Sequence, residues 1–275
     1  MTPAPFDTVA AEYDAAFTEH RLGRWLRTAV WDRLDAAFMP GDHVLDFGCG
    51  TGEDAVHLAQ RGVRVHATDA SSAMLEIARH KAATAGVGDG TTFSQLDLNT
   101  LDPNHPPTPP HLHTPTPQYD GGLSNFGALN SLPDRRPLAE ALARWIRPGG
   151  RLVLVVMGPL CPWEWGWYLA RGRLRTAFRR FRRGGAARVG DGAMTRVWYP
   201  SPRRLRTEFE PYFRPLQTLG IGVLLPPTFA RSLVDRRPGF FERLAALDRR
   251  AGRVFPGTWL NDHYLTLFER TEHPA

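Results

Sequence analysis

Apolar residues recur along this chain at two spacings, one that suits helices and one that suits strands. Phe6, Val9, Ala10, Tyr13 and Phe17 are three or four apart, and Leu22, Trp25, Leu26, Ala29, Val30, Leu34 and Phe38 continue that spacing. Two helices are therefore expected over residues 6–38. After the turn Pro40-Gly41-Asp42, His43 to Phe47 reads as a strand. A helix follows from Glu53, carrying Ala55, Val56, Leu58 and Ala59, and Gly62 ends it as a C-cap glycine does. Residues 63–68 alternate and form a second strand ending in Asp69. A helix from Ser72 to about Ala85 stops at Gly86, and Thr91 to Leu96 is the third strand. Residues 119–126 give the fourth strand and its exit, and Pro137 to Ile146 a helix. The turn Arg147-Pro148-Gly149-Gly150 then leads into Arg151 to Met157. That nearly continuous apolar run suits a strand buried on both faces of a parallel sheet. Beyond it, a helix is expected over 202–209, a strand over 213–225, a helical pair over 229–253 broken at Pro238-Gly239, and an alternating strand over 263–268. The chain reads as α/β.

Two stretches interrupt this order. Within residues 99–118, Pro103, Pro106, Pro107, Pro109, Pro110, Pro115 and Pro117 exclude a central helix or strand. His105, His111 and His113 lie among them, but without further ligands nearby, so a solvated loop and no metal are expected. Residues 158–200 open with Cys161-Pro162-Trp163-Glu164-Trp165-Gly166-Trp167-Tyr168. Arg171, Arg173, Arg175, Arg179, Arg180, Arg182 and Arg183 follow, interleaved with Leu169, Leu174, Ala177, Phe178 and Phe181. This reads first as a lid over an acceptor pocket, second as a basic amphipathic helix on a lipid surface through 163–183, third as an RNA contact. Gly184-Gly185 to Gly192 reads as a flexible loop. The expected divisions are thus a helical cap (1–38), a core (39–157), a lid or insertion (158–200) and a C-terminal part of the sheet with a helical insertion (201–275).

A chain of 275 residues, 42% of them hydrophobic, suits one large domain with insertions or a domain with a cap. The net charge of +6 points toward nucleic acid or an anionic surface. Lys81 is the only lysine, however, and so strong an arginine bias reflects genome composition, which lowers the weight of any one arginine. Two cysteines, Cys49 and Cys161, exclude a disulfide framework or a thiolate zinc site and fit a reducing cytoplasm. The first residues lack the basic and apolar regions of a signal peptide, and no apolar run would span a bilayer. The expected location is cytoplasmic, peripheral to the membrane if 163–183 meets a lipid surface.

The candidate chemistry sits at Val44-Leu45-Asp46-Phe47-Gly48-Cys49-Gly50-Thr51-Gly52, a strand that runs into a glycine turn and a helix. A phosphate-binding loop would need Gly-Lys-Ser/Thr, which is absent. A dinucleotide fingerprint would place its third glycine where Glu53 stands, and that carboxylate would face a pyrophosphate. What remains, Asp-x-Gly-x-Gly-x-Gly, resembles motif I of the class I S-adenosylmethionine (SAM) methyltransferases. Phe6-Asp7-x-x-Ala10-x-x-Tyr13-Asp14 is similar to the N-terminal segment of their ubiquinone/menaquinone-type, small-molecule branch.

The resemblance implies a Rossmann-like sheet of seven strands in the order 3-2-1-4-5-7-6, the last antiparallel. It implies SAM held by Asp46, Gly48, Cys49, Gly50 and Gly52. Asp69 stands at the spacing expected of a carboxylate that accepts from a ribose diol, although an N-cap role is its alternative. Ala70 and Met74 would line the adenine, although Met74 reads equally as core beside Leu75 and Ala78. Asp97, otherwise a turn residue, and Leu98 would stand at its amino end, and Asn125 at the amino group of the donor's amino acid. Asn130 would face the acceptor, unless both asparagines cap turns. Tyr13 is either a core aromatic or, as the resemblance implies, a side chain near the methyl group. If a base is needed, Tyr13, His20, Glu164 and His263 are the candidates, with Tyr13 and His20 foremost. His20, Arg24 and Arg27 could reach the same pocket, but read first as ordinary helix-surface residues. Ser124-Asn125-Phe126-Gly127 replaces the Asp/Asn-Pro-Pro-Tyr/Phe of enzymes that methylate base amines, and no Pro-Cys nucleophile is present. The expected acceptor is a small, partly apolar or lipid-like molecule. An RNA acceptor and a non-catalytic SAM-binding partner protein are the alternatives.

Overall fold

The computed structural model describes residues 6–107, 119–182, 184–189 and 193–272. Five strands run parallel: β1 (His43–Phe47), β2 (Arg64–Asp69), β3 (Thr91–Gln95), β4 (Tyr119–Ser124) and β5 (Ile146–Met157). A hairpin, β6 (Gly185–Val189) and β7 (Ala193–Val197), stands apart from them. β8 (Phe213–Ile221) and β9 (His263–Arg270) complete the main sheet, with β9 inserted antiparallel between β5 and β8. The sheet order is β3-β2-β1-β4-β5-β9-β8. Counting only strands of this sheet, that is the expected 3-2-1-4-5-7-6.

The two-residue period of the strands divides the core between two faces. Val44 and Val65 pack into one apolar layer with α2 (Arg21–Ala37), α3 (Glu53–Gln60) and α4 (Ser72–Thr84). Leu45 and Phe47 pack into the other with α5 (Arg136–Trp145). The sheet is covered on both sides, as parallel strands require.

Several boundaries differ from those read in the sequence. β5 begins at Ile146, because Tyr119 pairs with Ile146 and Gly121 with Arg151, so Arg147 to Gly150 bulge out of the ladder. The strand expected to reach residue 225 ends at Ile221, where Gly222 turns the chain at φ +68. The first expected helix is three short pieces: a 3-10 turn (Asp7–Val9), α1 (Ala10–Tyr13) and a π turn (Asp14–Thr18). No long basic helix forms after the tryptophans, which themselves lie on α6 (Pro162–Leu169). Gly172, at φ +68, breaks the chain before the single turns α7 (Leu174–Ala177) and Arg179–Phe181. The glycine-flanked stretch from Gly184, read as a flexible loop, instead pairs as the β6–β7 hairpin; Gly192 lies outside the described residues. His111 and His113 do too, while His105 is exposed and paired with Asp102 at 2.6 Å. Among the described residues, no helix is long and apolar enough to cross a membrane.

One core group makes stability depend on pH. His66 on β2 is fully buried between Tyr119 Oη, 2.6 Å from its Nδ1, and Ser94 Oγ, 2.8 Å from its Nε2. Burial, with a smaller contribution from His43, pushes its imidazole down to about 4. The unfolded chain therefore binds more protons between about pH 6.5 and 4, so this contribution is intact above 6.5 and lost as the pH falls toward 4. The loss amounts to about 3 kcal/mol. Melting temperature should fall between pH 7 and 5, and fall less in His66→Gln.

Candidate active site

The turn after β1 shapes one wall of a cavity of about 1210 Å³. Gly48, Gly50 and Gly52 all take positive φ, which an L side chain resists. A Cβ at Gly48 would lie 2.3 Å from the Ala128 Cβ, and one at Gly52 would lie 2.7 Å from the Ala78 Cβ, so these two permit close packing. A Cβ at Gly50 would meet nothing within 4 Å. Gly48, Cys49 and Gly50 line the cavity, whereas Gly52 backs it. The Cys49 thiol is pushed well above its ordinary value by burial and nearby carboxylates, so it is an inert wall atom.

Asp69, at the end of β2, also lines the cavity. Its Oδ2 accepts from Gly50 N and its Oδ1 from Ser71 N, both at 2.9 Å. The N-cap of α4 is Ser71, whose Oγ accepts from Met74 N at 3.1 Å. Asp69 is thus not spent on the cap: it props the glycine turn and borders the cavity. Burial raises its carboxyl, and the backbone N–H groups of Ser71, Gly50 and Ala70 offset part of that. Ala70 and Met74 continue the same wall. Asp97 and Leu98 line it too, although Asp97 Oδ1 also closes a turn by accepting from Asn99 N at 2.9 Å.

The opposite wall centres on a buried ion pair. Arg27 Nη1 donates to Asp54 Oδ2 at 2.7 Å, and Trp31 Nε1 and Asn125 Nδ2 donate to the same carboxylate at 2.7 and 2.9 Å. Burial pushes Asp54 up, but the charge and hydrogen bond of Arg27, with those of Asn125 and Trp31, hold its carboxyl below the ordinary range. Arg27 packs its guanidinium against the rings of Phe17 and Phe126, 5.6 and 5.3 Å from their centroids. Arg27, Asp54 and Asn125 all line the cavity. Two of their buried atoms have no hydrogen-bond partner among the described residues: Arg27 Nε, a donor, and Asn125 Oδ1, an acceptor. Such groups are costly unless a ligand satisfies the site. Asp46 is buried behind this wall, outside the lining, with Oδ2 unpaired and its carboxyl raised well above the usual value by burial and by Asp54 and Asp69.

The N-terminal cap closes over the glycine turn through polar ties. Thr51 Oγ1 donates to Asp14 Oδ1 at 2.7 Å. Lys81 bridges Asp14 and Glu53, 2.8 Å from each. These ties hold Tyr13 on the cavity wall. Burial raises the Tyr13 hydroxyl further, so it stays protonated at neutral pH.

The other base candidates lie outside the cavity lining. His20 caps α2 through its Nδ1, 3.2 Å from Leu22 N, and its Nε2 sits 3.0 Å from Asp235. Glu164 is fully buried and held by Arg179 and Arg180 at 2.6 and 2.8 Å. His263 sits beside Asp262 at 3.2 Å and edge-on to Phe126. Asn130 borders the cavity, but its amide is spent on backbone: Nδ2 donates to Met157 O and Trp198 O, and Oδ1 accepts from Met157 N. It is a joint between β5 and the end of the insertion. Arg24 is likewise outside the lining, but Arg27, read as a helix-surface residue, is buried in it. The far end is closed by Ser131, Met157, Thr195, Arg196, Val197 and Thr228, three of them from β7.

Residues 44–150, the stretch that carries the glycine turn, Asp54, Asp69 and Asn125, match a family model described as a methyltransferase domain. That stretch is a methyltransferase domain. The chain is 34% identical over 155 residues to a demethylmenaquinone methyltransferase of Symbiobacterium thermophilum, covering 54% of this chain and 55% of that one. The chain thus spans about half the length of the curated relatives it matches. By structure it is similar to DhpI in complex with SAH, S-adenosylhomocysteine (TM-score 0.56, 18% identity, 98% of this chain and 94% of that one). It is similar as well to the [4+2]-cyclase SpnF (TM-score 0.55, 19% identity, 90% and 82%). At such identities the likeness is one of fold, and one fold hosts more than one chemistry.

Proposed function

We propose that this protein transfers the methyl group of SAM to a small, partly apolar acceptor. The observation that carries the proposal is the pairing of the two walls. Asp69 and the Gly48–Gly50 turn suit a ribose, with Ala70, Met74 and Leu98 beside them for the adenine. Across the cavity, the unpaired Asn125 Oδ1 suits an ammonium, and the Arg27 guanidinium a carboxylate. These are the two charged ends of the donor's amino acid. Bound SAM supplies an electrophilic methyl on a sulfonium. The protein's share is to hold an acceptor in line with it, which accounts for several orders of magnitude in rate.

A single-ligand pocket is roughly 300–1,000 Å³. The cavity exceeds that, which leaves room for a second molecule at its far end. Met157 and Val197 make that end apolar, while Arg196, Thr195 and Ser131 give it polar points. Among the described residues, no histidine lines it. The residues therefore favour an acceptor that is already nucleophilic over one that must lose a proton to a protein base. Tyr13 donates a hydrogen bond that orients it. Tyr13→Phe should lower turnover about tenfold, the magnitude of one oriented hydrogen bond, with little change in SAH affinity; an unaltered rate would return Tyr13 to a packing role.

The acceptor is found by supplying isotopically labelled SAM to a cell extract lacking this protein, adding the protein, and identifying the molecule that gains label. Label in a small apolar metabolite supports the proposal. Label confined to RNA, or SAH binding with no transfer, contradicts it.

A further inference from the structure

The insertion after β5 carries a surface that the active site does not use. Residues 165–190 hold eight arginines and no aspartate or glutamate. The fold sorts these arginines into two sets. Arg180 is buried, bonded to Glu164 and to Asp262 at 2.8 and 2.5 Å, and Arg179 also holds Glu164. That network pins the segment to the end of β5 and the start of β9. Arg171, Arg173, Arg175 and Arg182 are exposed. Among the described residues, none of these four has a carboxylate within ion-pair distance.

Large apolar side chains stand exposed between them: Leu174 at 64%, Phe181 at 53%, Phe178 at 43% and Leu169 at 42%. The aromatic members form one patch: Phe181 stacks with Trp165 and with Phe178 at 6.0 Å between centroids, and Trp165 and Phe178 are tilted at 6.3 Å. Four apolar side chains within 13 residues, ringed by uncompensated cations, are unlike the scattered exposed apolar residues of an ordinary surface.

We propose that this face binds the surface of a bilayer bearing anionic lipid headgroups. Apolar side chains would enter the boundary between headgroups and acyl chains, while the arginines meet the phosphates. The aliphatic members decide against nucleic acid. A phosphate backbone calls for cations and bases call for aromatic faces, but neither gives Leu169 or Leu174 a partner. The patch is a fixed platform, since the Glu164–Arg180–Asp262 network lies beneath it. The same insertion supplies Thr195, Arg196 and Val197 to the cavity, so one piece of chain carries both the surface and the acceptor wall.

Sedimentation with vesicles tests this independently of methyl transfer. The intact chain should co-sediment with phosphatidylglycerol–phosphatidylcholine vesicles and at least tenfold more weakly with phosphatidylcholine alone. Each arginine near an anionic surface is worth about fivefold, so Arg173→Gln/Arg175→Gln should weaken binding more than tenfold. Leu174→Ser/Phe181→Ser should do the same, with the melting temperature unchanged in both variants. The proposal is overturned if mixed vesicles are not bound, if neither variant changes binding, or if the variants instead abolish binding to tRNA while vesicles stay unbound.

Discussion

Asp69→Ala is expected to weaken SAM and SAH binding well over tenfold, toward a hundredfold, with a much smaller effect on folding. The carboxylate would give a ribose diol two charge-assisted hydrogen bonds, each worth about 1.5–3 kcal/mol. The substitution also takes the acceptor from Gly50 N, so the glycine turn loses its prop. Asp69→Asn keeps an oxygen for one of the two backbone donors and should lose less. Ser71→Ala is the complementary control. It removes the α4 cap at a cost of about 1 kcal/mol in stability, and donor affinity should remain near that of the unaltered protein. Titration calorimetry with SAH reads all three. Equal affinity in Asp69→Ala would remove Asp69 from the donor site.

A second large effect is expected in stability. Asp54→Leu leaves the Arg27 guanidinium, 6% exposed, without its counter-charge. Losing one partner of a buried pair costs about 3–5 kcal/mol, or a melting temperature lower by about ten degrees in a chain of this size. Replacing both partners, Arg27→Met/Asp54→Leu, removes the isolated charge and should recover most of that loss. It should not recover donor binding, because the donor's carboxylate would have lost its guanidinium. Thermal melts and SAH titrations of the single and double variants separate the two roles. A double variant that binds SAH normally would show that Arg27 serves the fold alone.

The contrast between Asp69 and Arg27 shows what was legible in the sequence. Asp69 was found because its setting is local: a strand, a glycine turn about 20 residues earlier, and a serine free to cap the next helix. Arg27 reads as a pocket residue only second to a helix-surface one, because its position on α2 decides nothing until α2 packs against α3. Then Asp54 accepts from both Arg27 and Trp31, which lie 27 and 23 positions before it in the chain. A visible signal did exist: Asp54 sits within a short helix otherwise apolar on its inner face, a place where a carboxylate needs a partner.

The sheet was legible for the same local reason, since each strand carried its own apolar run between turn residues. The insertion was not. Its tryptophans and arginines kept helical spacing, but Gly172 broke the helix, and Glu164 drew Arg179 and Arg180 inward. The β6–β7 hairpin lacked apolar alternation and emerged only through its pairing. The places of the other base candidates were less legible: His20 pairs with Asp235 and His263 stands edge-on to Phe126, both far along the chain, while Glu164 is held by Arg179 and Arg180, and none of the three lines the cavity.

The central claim is that the glycine turn and Asp69 on one wall, with Arg27 and Asn125 on the other, grip SAM between them. Titration calorimetry of the intact protein with SAH tests it most directly. One molecule bound per chain, with affinity lost in both Asp69→Ala and Arg27→Met/Asp54→Leu, is the predicted result. No heat of binding from SAH or SAM to the folded protein would contradict the account.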